Sequence, residues 1–210
     1  MHVTLQSVAQ EVSRGLAACP DFVAFRQVVR ATQELCSRAR IWSGWAVARS
    51  SPLSPVADIE GPWPFGILAG VLKVTLADGT ELERIPDKIA RWKHPRESAD
   101  GKSPRYYSIS DMMKIYLSPK PAIDTELFVL SYFMPSYTGE APPSLLQPQV
   151  CEAIQHGARY YLFNEPGQPW ANPQQAAWHK AQFESAIESL RTQSDLTAGG
   201  GRVRSKAQFL

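Results

Sequence analysis

Between Ile41 and Phe65 the chain carries Trp42, Trp45, Pro52, Pro55, Pro62, Trp63 and Pro64, and this stretch limits the possible folds more than any other. Proline fixes φ and offers no backbone N–H, so a long helix cannot cross the segment and short extended pieces are expected there. The pattern on its two sides differs in kind. Upstream, Thr4 caps a helix whose apolar positions Leu5, Val8, Val12 and Leu16 repeat at helical spacing and end near Cys19 and Pro20. A second helix opens at Asp21 with the stripe Phe22, Phe25, Val29, Thr32, Leu35, Cys36 and Ala39, giving a helical hairpin with a tight proline-containing turn.

Downstream the periodicity becomes that of strands. Ile67 to Leu76 and Thr80 to Ile85 flank Asp78-Gly79, a dipeptide suited to a type I′ hairpin turn. Arg105 to Ser110 and Lys114 to Ser118 flank a second hairpin with Asp111-Met112-Met113 at its turn, and Glu126 to Met134 is apolar enough for the middle of a sheet. The polar segment Asp87 to Pro104 reads as a long loop or arm. After Ala141-Pro142-Pro143, Ser144 or Pro148 opens a helix bearing Val150, Ile154, Ala158 and Tyr161, which stops before Pro166-Gly167. Asn172 caps the last helix, with Pro173 in its first turn and Ala176, Phe183, Ile187 and Leu190 on one face. The expected fold is therefore α+β: a four-helix bundle of two N-terminal and two C-terminal helices, an inserted β-rich domain and an extended C-terminal tail. The expected boundaries are 1–45, 46–140, 141–196 and 197–210.

The tail has its own chemistry. Gly199, Gly200 and Gly201 form a hinge, and beyond it Arg202, Val203, Arg204, Lys206, Phe209 and Leu210 supply three cations and an apolar end with no acid. Ordering each residue from Gly201 onward costs roughly 1–2 kcal/mol of backbone entropy. Burying Val203, Phe209 and Leu210 returns only about 1.5–3 kcal/mol apiece. The segment does not order by its own contacts, so it reads either as a frayed terminus or as a tether bound by another surface.

Formal charge is +2, and without the three tail cations the body is about one charge negative, too little excess for a protein that works by neutralising phosphates. The one local excess, Arg26, Arg30, Arg38 and Arg40, serves either as a solvated helix face or, in a second reading, as a DNA-binding surface with the basic tail as an arm. Cys19, Cys36 and Cys151 are odd in number and widely spaced, as buried thiols of a reducing compartment would be. Neither a leader pattern nor a membrane-length apolar run is present, so an unexported chain made in the cytosol is expected.

No chemistry-bearing constellation is visible. The chain has no Gly-x-Ser-x-Gly elbow, no Gly-Lys-Ser phosphate loop and no Cys-x-x-Cys pair. Glu152 and His156 stand one helical turn apart without a third ligand nearby, and His2, His94 and His179 fall in different elements. Catalytic residues, cofactor and metal are all expected to be absent. Trp42, Trp45, Trp63, Trp92, Trp170 and Trp178 read as core plugs or subunit-interface anchors. A sugar platform or small hydrolase cleft is the remaining alternative.

Several local patterns, taken in order, carry a likeness to a known family. Ala31 to Trp42 ends in Cys36-x-Arg38-x-x-x-Trp42; Tyr106 to Ile109 and Lys114 to Pro121 make the central hairpin, and Phe128 to Tyr132 the next strand. Cys151 to Phe163, then Trp170-Ala171-Asn172-Pro173, then Arg202-Val203-Arg204 with Phe209 close the series. The chain resembles the head-to-tail adaptor (neck or connector) proteins of tailed bacteriophages. It departs from them in the Pro- and Trp-rich Ser50 to Phe65 and in the segment from Asp87 to Pro104. The resemblance implies a structural virion protein in a closed ring of about twelve subunits, held by a heterologous interface. Such a ring sits at the neck beneath the portal protein, with the C-terminal segment reaching into the portal and a tail protein or further neck protein below. Double-stranded DNA passes through its channel without sequence-specific binding, no membrane is involved, and the subunits are made in the host bacterial cytoplasm.

Overall fold

The structure, a computed structural model, describes residues 4–16, 18–52, 54–60, 66–86, 103–111 and 114–199. The chain divides into two compact units, one of Met1–Ser7 with Trp42–Leu146, the other of Val8–Ile41 with Gln147–Leu210.

The first unit is built on seven strands: β1 Ser43–Ser51, β2 Ser54–Glu60, β3 Gly66–Leu76, β4 Glu83–Arg84, β5 Tyr106–Asp111, β6 Lys114–Ser118 and β7 Thr125–Pro135. They form one sheet in the order β3-β7-β1-β2-β6-β5-β4, antiparallel throughout except for the parallel pair β4 and β5. The two end strands are joined by the short chain between them. Leu76 N donates to Thr80 O at 2.9 Å, Leu82 N donates to Val74 O at 2.9 Å, and Thr75 bridges to Glu81. The sheet thereby closes nearly to a barrel, which removes most of the free backbone edge.

Its interior follows from the strand period of two. On β7 the buried positions are Leu127, Val129, Ser131 and Phe133, and on β1 the facing Ala46 and Ala48 pair with Val129 and Leu127. Ala57 and Ile59 on β2 and Ile115 and Leu117 on β6 continue the lining. On β3 the buried residues Leu68, Val71 and Val74 recur every three positions, because register shifts between Leu68 and Gly70 and between Val71 and Lys73 each insert a residue and reset the alternation. The bulges bring Leu68, Val71 and Val74 opposite Phe133, Ser131 and Val129.

The turn after β3 differs from the expected type I′. That turn needs positive φ at both central residues, but only Gly79 has it, at 86°; Gly79 N donates to Leu76 O at 3.0 Å. The loop is Ala77-Asp78-Gly79, with Asp78 Oδ1 accepting from Thr80 N at 2.8 Å. β1 and β2, in the stretch expected to hold only short extended pieces, are paired strands. The turn residues Met112 and Met113 and most of Asp87 to Pro104 lie outside the described residues.

The helices are α1 Leu5–Arg14, α2 Asp21–Ala39, α3 Pro148–Phe163 and α4 Pro173–Gly199, with a single 3-10 turn at Pro143–Leu146. Thr4 and Ser7 cap α1 reciprocally: Ser7 N donates to Thr4 Oγ1 at 3.1 Å and Thr4 N to Ser7 Oγ at 2.9 Å. Gln175 N donates to Asn172 Oδ1 at 3.1 Å at the start of α4. The second unit is held by α2, α3 and α4, which pack on one another at Gly157. A Cβ there would stand 2.9 Å from Ala31 Cβ and 2.9 Å from the Phe183 ring. Phe22, expected in the α2 stripe, is 74% exposed, while Ala24, Gln27, Val28 and Ala31 join the buried face.

The expected four-helix bundle with an inserted β-rich domain is thus corrected. The described residues form four helices plus a seven-stranded, mixed, nearly closed barrel-like sheet, and the boundary between the compact units runs through α1. The misreading has a physical source: amphipathic stripes report that a helix has a buried face, not which neighbours cover it.

Candidate functional site

The residues expected to act are those of the hinge and tail. Gly199 is the last residue of α4, so the helix extends to the first hinge glycine. Gly200, Gly201, Arg202, Val203, Arg204, Lys206, Phe209 and Leu210 lie outside the described residues. The helix that leads to them loses its packing early: its last buried apolar residue is Leu190, and Leu196 is 54% exposed. In between, Ser194 Oγ donates to the carbonyl of Arg40 at 3.0 Å, tying the rod to the left-handed residue that ends α2.

The four arginines of the DNA-binding alternative do not form a free cationic face. Arg38 donates to Glu34 at 2.9 Å and to both carboxylate oxygens of Glu184, one of them at 2.8 Å. The Arg30 guanidinium lies 3.9 Å from the centroid of the Tyr161 ring, whose hydroxyl donates to the other oxygen of Glu34. Arg26 reaches only to 4.0 Å from Glu165, whose Oε1 accepts from Gln27 Nε2 at 2.7 Å. Burial, then the bond to Glu34, pushes the Tyr161 phenol up. The Arg38 bond holds the Glu184 carboxyl below the usual carboxylate range. These side chains fasten α2 to α3 and α4, a structural use of charge.

The described tryptophans separate by burial. Trp42, with its ring centroid 6.0 Å from that of Phe133, and Trp170 are buried, whereas Trp45 and Trp178 are 52% and 53% exposed. Trp63 and Trp92 lie outside the described residues. Because Trp42 is buried and Trp45 exposed, the two do not line one cleft as a sugar platform would require.

Trp45 belongs to an apolar patch on the outer face of the sheet that periodicity did not single out. On β1 and β7 the outward pairs are Trp45 with Leu130, Val47 with Phe128, and Arg49 with Glu126. Arg49 donates to Glu126 at 3.2 Å beside the patch, and Lys73, opposite Leu130, pairs with Glu81 at 2.7 Å. An exposed aromatic centre with a charged rim is the usual anatomy of a protein-binding surface. The signal was present in the sequence as Trp45 and Phe128, but the face they point to depends on register.

Among the described residues no group of three or more His, Cys, Asp or Glu stands ready to hold a metal, and no helix is long and apolar enough to cross a membrane. Cys36 and Cys151 are free and buried, Cys19 free and half-buried. The described residues thus show packed helices, internally paired charge and an exposed aromatic patch on the sheet. The chain belongs to the SU10 adaptor protein family, whose model matches residues 3–205. Membership makes it a bacteriophage structural protein of adaptor type and a component of the virion. A comparison with curated proteins finds no match.

Proposed function

We propose that the protein is a head-to-tail adaptor that assembles as a closed ring at the neck, beneath the capsid portal, and joins it to the tail or to a further neck protein. The observation that carries this reading is the family match along almost the whole chain, including most of the tail segment. In this reading Arg202, Val203, Arg204, Lys206, Phe209 and Leu210 enter the portal, with Gly199, Gly200 and Gly201 at their root. A long helix with an exposed end suits the delivery of such a peptide. The ring, of about twelve copies, closes by a heterologous interface. The patch around Trp45 and Phe128 on one copy is a candidate for part of that contact. Individually weak tails suffice, since simultaneous engagement of a symmetric target raises avidity by about 10²–10⁴. A near-neutral body suits a channel through which double-stranded DNA slides without specific binding. The subunits are made in the host cytoplasm and act in the particle.

The test is truncation after Ala198 followed by co-sedimentation with portal rings. The full chain is expected to sediment with the portal and the truncated one to remain in the supernatant; undiminished sedimentation of the truncated chain refutes the docking role.

A further inference from the structure

His156 on α3 and His179 on α4 meet with their Nδ1 atoms 2.9 Å apart. His179 is only 5% exposed and stands in the apolar stripe between Ala176 and Phe183. Aromatic neighbours fix both rings. Trp178 lies edge-on to His156 and His179, with centroids at 5.4 and 4.7 Å, and Phe163 stacks on His179 at 5.4 Å. One Nδ1–H donates to the other Nδ1, so two atoms able to ligate a metal stand side by side between two helices.

We propose that this pair is a binding site for a divalent first-row transition ion that accepts cis ligands near a right angle, Ni²⁺ or Cu²⁺ in preference to tetrahedral Zn²⁺, held by the two Nδ1 atoms with water completing the coordination. Imidazole nitrogen binds such ions at about 2.0–2.1 Å. Two bonds of that length span a 2.9 Å gap when they meet near a right angle, the cis arrangement of square-planar and octahedral centres. Each ring turns so that its Nδ1 lone pair leaves the line to the other ring and meets the ion. On binding, the donor ring transfers its Nδ1 proton, by way of solvent, to its own Nε2; both rings then present an Nδ1 lone pair, and two neutral imidazoles release no net proton.

The surroundings support the assignment from two sides. Burial holds both histidines below the usual imidazole range, so the neutral, ligating form is present at neutral pH. The Glu152 carboxylate, one turn before His156 on α3, favours a cation there, while Arg159 opposes it. Since the described residues supply no third ligand in place, the site belongs to the weak, exchangeable class and not to the closed structural one.

The experiment is calorimetric titration of chelator-treated, full-length protein with NiCl₂, ZnCl₂ and CuCl₂, in a His2→Gln/His94→Gln background that removes the other two histidines. One ion per chain is expected, with two-nitrogen coordination in the electron paramagnetic resonance spectrum of the Cu²⁺ form. Loss of outer-sphere partners alone lowers metal affinity about 10–100-fold, so His156→Gln, which removes a ligand, is expected to lose at least that much. His156 is the less buried of the two, so this variant stays informative if His179→Gln fails to fold. No binding in the background protein, or unchanged binding in His156→Gln, overturns the proposal.

Discussion

Gly157 and Gly70 are positions where the lack of a side chain sets how closely neighbours approach. At Gly157 the Ala31 methyl and the buried Phe183 ring both stand where a Cβ would collide. Helix propensity alone favours Gly157→Ala by about 1 kcal/mol. The expected outcome is nevertheless a net loss of about 1–3 kcal/mol from overpacking, read as a lower denaturation midpoint. A stabilised variant would show that the three helices separate freely at this point. On β3, Gly70 lies opposite Tyr132, whose ring covers it. Gly70→Val is expected to cost about 1–3 kcal/mol by the same mechanism, with part of the loss recovered when Tyr132 is also replaced by Ser. Neither glycine could be assigned a role from the sequence, because the atom each one omits matters only once a partner strand or helix is in place.

At the scale of elements, the Arg38 cluster binds α2 to α4. Both side chains of its pair with Glu184 are more than a third exposed, at 38% and 41%, so solvent screening limits the coupling. A double-mutant cycle of Arg38→Met and Glu184→Gln is expected to give about 0.3–1 kcal/mol, shrinking with added salt. The pH dependence has a definite sign. The Glu184 carboxyl titrates below its ordinary range in the folded chain, so its contribution is full above the unfolded value of about 4.3 and disappears as pH falls through the folded one. The stability difference between the native chain and Glu184→Gln should therefore begin to shrink in acid-unfolding titrations as pH falls past the unfolded value and vanish only below the depressed folded one. The elements themselves were legible in uneven measure. Thr4, Asn172 and the stripes of α1 and α4 are strong signals, as is the apolar run of β7. β1 and β2 were hidden because most of their inward positions, Ala46, Ala48, Ser50 and Ala57 beside Ile59, are residues too small to make alternation conspicuous. β3 was legible as a strand, but its two bulges, which space the buried residues by three, were not. His179 filled the gap in the α4 stripe, but its partner on α3 lies 23 residues away, and only tertiary structure brings them together.

For the whole molecule, stability and assembly should respond to different degrees. Trp45→Ser with Phe128→Thr removes two half-exposed aromatics from the sheet's outer face, so the unfolding free energy is expected to fall by about 1–3 kcal/mol. Ring formation, followed by the mass of complexes with the portal, is expected to fall sharply. Equal assembly would remove this patch from the intersubunit contact without touching the role of the tail. The family was legible from short patterns in a fixed order, but the barrel-like sheet was not, since closure is a property of strand pairing and leaves no trace in any single segment. That closure bears on how copies associate. With the Val74 to Leu76 end of β3 bonded to Thr80 and Leu82, that part of the sheet edge has little to offer an incoming strand. In the proposed ring, subunits would then meet through side-chain surfaces whose shapes fix an angle between neighbours, so that growth ends where that angle completes a turn instead of running on as a fibre.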